Sequence, residues 1–308
     1  MKTIITGGSG SIGRKLTQHL AQHGHEVVIL SRNPAKVTGL PKGARAVKWD
    51  ARTAEGWLAE ADGADAIVNL AGENLAGSGF FPSRWTDERK RIIRESRLNA
   101  GKAVTEAVES VSNKPKVVVQ ASAIGFYGPR GDEPLTEISS AGNDFLANLC
   151  KEWEAATTSV EKHGVRRAVI RTGIYLTPDD GALKRLLLPY QMFAGGPFGN
   201  GQQYYSWIHP TDQVEAIRFI IENSKASGAF NLTAPEPLKN KDFGKTLGKV
   251  LGRPSFMPVP RFALQIAFGE VVTVVFDGQR VVPKHLQELG YSFKFPTLET
   301  ALKDLLKK

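Results

Sequence analysis

Cysteine is nearly absent, with Cys150 the only one in the chain. A single thiol cannot close an internal disulfide, which suits a reducing compartment and makes the cytoplasm the expected location. Long apolar runs are missing too. None approaches the roughly 18 residues that a membrane-spanning helix requires, so no membrane association is expected. The opening MKTIITGGSG has an apolar run too short for a secretory leader and turns straight into Gly and Ser. It reads as a first strand. No internal repeat, low-complexity segment or charged tail is present. The surplus of 40 Lys and Arg over 31 Asp and Glu, a net +9, is spread along the chain instead. Diffuse positive charge suits an anionic small molecule better than nucleic acid, whose binding modules have no counterpart here. Metal-ligand clusters are also lacking, because His19, His23, His25, His163, His209 and His285 have no acidic or thiol partner at useful spacing.

What is present is an alternation of strand-like and helix-like segments. Apolar runs occur at Lys2–Thr6, Glu26–Ser31, Ala44–Trp49, Asp65–Leu70, Lys116–Ser122 and Val165–Thr172. Helical patterns at Gly10–His23, Trp85–Glu109 and Asn143–His163 lie between them. Short, nearly continuous apolar strands alternating with helices mean a parallel sheet covered on both faces. The expected class is α/β, a Rossmann-type doubly wound sheet. After GGPFGNG (Gly195–Gly201) the pattern changes to YYSWIHP, a helix near Thr211–Asn223 and the strand-like AFNLT. Beyond Pro235, prolines interrupt short helices and strands. Residues 1–233 are thus expected to form the Rossmann-type domain, with 176–209 contributing to a smaller lobe. Residues 234–308 are expected to form a small α+β C-terminal domain over one end of the sheet.

IITGGSGSIG sets Gly7, Gly10 and Gly13 directly after a strand and at the start of a helix. Gly7 permits the tight turn, Gly10 lets backbone approach a pyrophosphate, and Gly13 allows close helix–sheet packing. The amides near Ser11 and Ile12 would face the anion. The next strand ends in Ser31 and Arg32, where a free ribose 2′-hydroxyl would call for an acid. A hydroxyl and a guanidinium suit a 2′-phosphate, so NADP(H) is expected rather than NAD. Asp50, after the third strand, could accept from the adenine amino group. Leu70, Ala71 and Gly72, after the fourth, leave room for ribose and nicotinamide, while Asn69 and Asn74 fit either this crevice or simple turns.

TGGSGSIG, NLAG (Asn69–Gly72) and QASAIGFYG (Gln120–Gly128) resemble the extended short-chain dehydrogenase/reductases, as do EPLTE (Glu133–Glu137), IRTG (Ile170–Gly173) and WIHPTDQVEAI. That likeness covers residues 1–233. A narrower one covers nearly the whole chain: NLAGEN, RWT, Ser96–Arg97, GGPFGNGQQYYSWIHP and FGEVVTVVFDGQRVVP are similar to an epimerase-like subgroup with a C-terminal domain of uncharacterised role. The resemblance implies an NADP(H)-binding fold, with Ser31, Arg32, Leu70, Ala71, Arg97 and Tyr175 near the dinucleotide. It also implies that His209 and Asp212 form a structural histidine–acid segment.

The same resemblance implies a serine, a tyrosine and a lysine for proton transfer, because an unperturbed phenol, near ~10, needs a neighbouring cation to work at neutral pH. Ser122 is available. If Glu154 is the acid that follows the dyad, its positions hold Leu146 and Cys150. A shift by one gives Ala147 and Lys151, and the opposite shift gives Phe145 and Leu149. None supplies a tyrosine. Tyr127 is the alternative proton donor, against a packing or substrate-contact role. The expected function is therefore that of an NADP(H)-dependent reductase or epimerase-like protein acting on a small carbonyl or hydroxyl substrate, nucleotide-linked or phosphorylated forms included. The alternative is a cofactor-binding sensor without turnover. A homodimer is an open option for assembly.

Overall fold

The computed structural model describes residues 1–77 and 79–307. Its centre is a seven-stranded, wholly parallel sheet: β1 (Lys2–Thr6), β2 (Glu26–Ser31), β3 (Ala44–Lys48), β4 (Ala66–Asn69), β5 (Val117–Ala123), β6 (Arg166–Thr172) and β7 (Gly228–Leu232). The spatial order is β7-β6-β5-β4-β1-β2-β3. Strand order reverses between β1 and β4, where doubly wound sheets open a crevice at their carboxyl ends.

The faces are covered by α1 (Ser11–Gln22), α2 (Asp87–Ser110), α3 (Phe145–Ala155), α4 (Gly181–Gln191) and α5 (Pro210–Glu222), with α4 lying over the lobe rather than the sheet. Alternate side chains of the strands feed two cores. Ile5, Val27, Ile29, Val68 and Val119 meet Leu16 and Leu20 of α1 and Ile217 and Ile220 of α5. Ile4, Val28, Ile67 and Val118 face the other way, against Ala100, Ala103 and Val104 of α2 and the indoles of Trp49 and Trp57. Small alanines let α2 lie close to the sheet, and Gly101 continues this, since a Cβ there would stand 2.5 Å from that of Ala156.

The expected helix to His163 ends early. α3 stops at Ala155 and a 3-10 turn takes over at Thr158–His163. Arg167 explains the stop, because its guanidinium donates to the Glu154 carbonyl and, at 3.1 Å, to Thr157 Oγ1, satisfying the helix end from a neighbouring strand.

A third core joins Leu176, Leu183, Tyr190, Tyr205 and Trp207 to α6 (Asn240–Leu251) and α8 (Leu298–Leu305). Between these two helices lies α7 (Arg261–Phe268), none of whose residues is buried. Asp212 ties this lobe to the sheet, its carboxylate accepting from the amides of Lys294 at 2.7 Å and Phe295 at 2.9 Å. Among the described residues, no helix is long and apolar enough to cross a membrane.

Candidate active site

The β1–α1 turn has the geometry its glycines demand. Gly7 sits at φ +67, and a Cβ there would approach the Leu70 carbonyl carbon to 2.8 Å. At Gly13 a Cβ would lie 2.4 Å from the Gly7 carbonyl oxygen. Gly8, which the sequence pattern passes over, is as constrained: its Cβ would meet Ile29 at 2.5 Å. Gly10 is different. It is exposed, the nearest atom to its Cβ would be 3.3 Å away, and it caps α1 without a side chain. The first amides of α1, at Ser11 and Ile12, therefore open toward the crevice, a cradle that fits a dinucleotide phosphate.

The neighbouring strand ends divide into structure and opportunity. Thr6 Oγ1 donates to Asn69 Oδ1 at 2.6 Å, and Asn69 Nδ2 donates to Gln120 Oε1 at 2.9 Å, forming a fully buried polar ladder across β1, β4 and β5. Asn69 is thus internal, and Asn74 is a turn residue whose Oδ1 accepts from the Ala76 amide at 2.9 Å. Leu70, Ala71 and Gly72 lie at the crevice edge; Gly72 rests against Arg97, whose Cζ would be 3.2 Å from an added Cβ.

At the end of β2, Ser31 is nearly buried while Arg32 is exposed. Among the described residues nothing takes the Arg32 side chain, and Lys48, in register with Ser31, binds the Arg32 carbonyl. The sequence reading missed Lys48, which only the parallel register brings there. Asp50 is exposed but used locally, accepting from the Arg52 and Thr53 amides at 2.7 and 2.9 Å and from the Thr53 hydroxyl at 2.9 Å.

Beyond this edge lies a cleft of about 330 Å³. Ser11, Arg97 and Tyr175 line it, together with Leu146, Cys150 and Trp153 of α3. Burial pushes the Tyr175 phenol up to about 12, outweighing the opposing influence of the Ser11 hydroxyl. Burial likewise pushes the Cys150 thiol up to about 11, with the Glu154 charge adding to it. Both groups are therefore neutral near pH 7.

Ser122 and Tyr127 are not brought to the cleft. Strand alternation turns Ala123 toward it, whereas Ser122 is 3% exposed and donates to Glu154 Oε1 at 2.7 Å. Glu154 also receives Arg171 Nε at 2.9 Å and Nη2 at 3.0 Å. Arg171 Nη1 reaches the Tyr127 hydroxyl at 3.0 Å, and that hydroxyl donates to Asn231 Oδ1 at 2.6 Å. Tyr127 is fully buried, and desolvation raises its pKa despite Arg171. Neither of the two hydroxyls expected to serve a substrate lines this cleft. They belong to one buried chain, Ser122–Glu154–Arg171–Tyr127–Asn231, that clamps β5, α3, β6 and β7 together. The motifs that carried the resemblance had marked most of its members without showing that they bind each other.

His209 is structural as well. Its Nδ1 accepts from the Thr211 amide at 3.1 Å, capping α5, and its ring packs on Phe295 at a 32° tilt with centroids 3.7 Å apart. Burial holds it near 4, hence uncharged at neutral pH, although Asp304 lies 3.2 Å from Nε2.

Comparison with known proteins agrees with this geometry. The model of the NAD dependent epimerase/dehydratase family matches residues 3–233, and a domain of unknown function (DUF1731) matches residues 259–305. The epimerase family protein YfhF of Bacillus subtilis is 38% identical, over 99% of this chain and 98% of its own. The chloroplastic SDR39U1 homolog of Arabidopsis thaliana is 37% identical, over 100% of this chain and 87% of its own. Among solved structures, human epimerase family protein SDR39U1 (isoform 2), crystallised with NADPH, superposes with a TM-score of 0.87 at 32% identity, each chain covered in full. With a glycine-turn crevice at the switch point of its sheet and full-length relatives of this similarity, the chain belongs to the NAD dependent epimerase/dehydratase family.

Proposed function

We propose that this chain binds NADP(H) and works as a reductase or epimerase-like protein on a small carbonyl or hydroxyl compound, nucleotide-linked or phosphorylated forms included. The observation that carries the cofactor choice is the free, exposed Arg32 guanidinium beside Ser31 and Lys48, where a carboxylate would repel a 2′-phosphate. The NADPH bound to the human relative supports the same choice. In this reading Gly7, Gly10, Ser11, Ile12 and Gly13 receive the pyrophosphate, while Ser31 and Arg32 receive the 2′-phosphate. Leu70, Ala71, Gly72 and Tyr175 shape the space for ribose and nicotinamide. The bound nicotinamide would supply or accept hydride. Ser122 and Tyr127 act at a distance, by holding Glu154 and Arg171 so that α3 and the ends of β5 and β6 keep the cleft wall in place.

One observation favours a second reading, a cofactor-binding sensor. The slots of the missing dyad, Leu146 and Cys150, line the cleft, and neither Cys150 nor Tyr175 titrates near neutrality. One measurement tests what the two readings share and a second separates them. Titration with NADPH and NADH tests the cofactor, and equal affinity would sink the NADP(H) assignment. NADPH oxidation across a panel of carbonyls and nucleotide sugars tests turnover, and tight binding with none consumed would favour the sensor.

A further inference from the structure

Beyond the glycine turn, the second lobe contributes Tyr204, Tyr205, Ser206, Val274, Asp277 and Gln279 to the cleft. Most polar groups of this wall are engaged within the fold. Ser206 Oγ donates to the Gln279 carbonyl at 2.7 Å and accepts from the Val281 amide at 2.9 Å. Gln279 Nε2 donates to the Asp277 carbonyl at 3.0 Å, and the Tyr205 hydroxyl donates to the Val275 carbonyl at 2.9 Å. The aliphatic side chains of Leu75, Ile124, Leu146, Leu149 and Ile174 supply much of the remaining surface.

Positive charge is scarce here, although the chain as a whole carries +9. Among the described residues that line the cleft the sole cation is Arg97, which lies against Gly72 and which the family resemblance places near the dinucleotide. Two carboxylates line it, Asp180 and Asp277. Arg261 is committed to Asp277 at 2.9 Å. Asp180 accepts from the Gly181 amide at 2.7 Å and has no cationic partner among the described residues. Lys239 and Arg280, whose cations lie 5.6 and 5.5 Å from the Tyr204 ring centroid, are held by Asp132 instead. An adjoining cavity of about 420 Å³ shares Asp180 and Gly181 with the cleft. Its Arg185 is spent on the carbonyls of Gly79, Phe80 and Gly181 at 3.0, 2.9 and 3.2 Å, and its Lys184 shares the space with the carboxylates of Glu73 and Asp180.

We propose that the cleft takes an uncharged, largely apolar ketone or aldehyde, or the matching alcohol, and rejects nucleotide sugars and phosphorylated compounds. An entering phosphate or carboxylate would give up its water against aliphatic walls with no free cation to receive it, and would meet the unpaired Asp180 carboxylate. Sites that hold such groups answer them with Arg or Lys. An apolar ketone carries no charge to desolvate, and its hydrocarbon gains from contact with the same walls. The inference rests on the reading of this cleft as the substrate site of an NADP(H)-dependent protein, and narrows that reading to one substrate class.

The test is calorimetric titration at neutral pH, with and without saturating NADP⁺, of para-methylacetophenone, of para-acetylbenzoate, which exchanges the methyl for a carboxylate, and of UDP-glucose. With NADP⁺ bound, wild type should bind para-methylacetophenone saturably, and the other two at least about 10-fold more weakly. Leu146→Asn, close to leucine in volume, should weaken the ketone by about 10-fold. Val274→Lys, at a cleft position 44% exposed that a lysine can occupy without disturbing the core, should raise the affinity for para-acetylbenzoate by about 3-fold. The proposal is overturned if para-acetylbenzoate or UDP-glucose binds wild type as tightly as the ketone, if wild type with NADP⁺ bound takes up no para-methylacetophenone, or if neither substitution changes these affinities. Absence of NADP⁺ binding sinks the cofactor reading instead, and the titrations without nucleotide then decide the ligand class by themselves.

Discussion

Removing the Ser122 hydroxyl separates a structural serine from a catalytic one. In Ser122→Ala, Glu154 loses the 2.7 Å hydrogen bond but keeps both contacts from Arg171, at 2.9 and 3.0 Å. Nothing bulky is deleted, so the cost is that of one hydrogen bond to a charged acceptor, about 1.5–3 kcal/mol. Glu154→Gln is more severe. It leaves Arg171, with 7% side-chain exposure, without its counter-charge, and breaking a buried pair in this way costs about 3–5 kcal/mol. Urea unfolding should therefore rank wild type, Ser122→Ala and Glu154→Gln in order of falling midpoint at a common slope. NADPH affinity of Ser122→Ala should stay within about 3-fold of wild type, because the hydroxyl faces Glu154 and not the crevice. Any turnover should survive to the same degree. The reasoning is refuted if Ser122→Ala unfolds like wild type yet loses about 100-fold in kcat, the signature of a transition-state contact.

Three further outcomes follow from separate parts of the site. Arg32→Ala should weaken NADPH by about 10-fold and NADH hardly at all, the lower end for a charge-assisted contact because Arg32 is exposed and screened; a fluorescence titration with an unchanged NADPH/NADH ratio contradicts it. Gly13→Ala should destabilise the fold by about 1–3 kcal/mol, since its Cβ would meet rigid backbone at 2.4 Å, whereas Gly10→Ala, whose Cβ would sit a tight 3.3 Å from the Gly7 carbonyl oxygen, should destabilise it less and lose cofactor affinity; circular-dichroism melts paired with NADPH titration separate the two. His209 is held near 4 against an ordinary 6.5, so the unfolded chain binds more protons between these values. Stability should then fall as pH drops from about 6.5 to 4, by about 2–3 kcal/mol from this residue, and His209→Asn should flatten that part of the denaturation profile. His19, lowered to about 4 chiefly by burial, adds a slope of the same sign that remains in the variant.

The sheet was legible because its central strands carry short apolar runs bounded by Gly, Asn or charged residues, although the edge strand β3 (ARAVK) has no buried residue. All seven of its strands, AFNLT among them, fall within about two residues of the expected stretches, the usual scatter of element ends. α3 was read too long because a helical pattern continues through Thr157 and Thr158 in sequence. The stop comes from Arg167 on the next strand, a tertiary contact that no local signal encodes. α4 was not anticipated at all. Pro189 inside Gly181–Gln191 argues against a helix, yet burial of Leu183 and Tyr190 in the lobe core outweighs that local cost.

The site divides along the same line. Gly7, Gly10 and Gly13 could be read because their constraint is backbone conformation and clearance, which spacing after a strand already implies. Arg32 could be read because a strand end fixes its direction. Ser122 and Tyr127 could not, since their meaning depends on which way two adjacent residues of β5 and its following turn face. A shift of one residue decides whether a hydroxyl sees substrate or Glu154: Ala123 lines the cleft and Ser122 does not. The same alternation bears on the absent tyrosine and lysine. With Glu154 neutralised by Arg171 and Cys150 kept neutral by burial, the cation that addresses the cleft beside these positions comes from another helix, as Arg97. A pattern search along α3 looks for the missing charge on the wrong element. Only packing of α2 against α3, which stacks Arg97 over Trp153, brings it to the cleft.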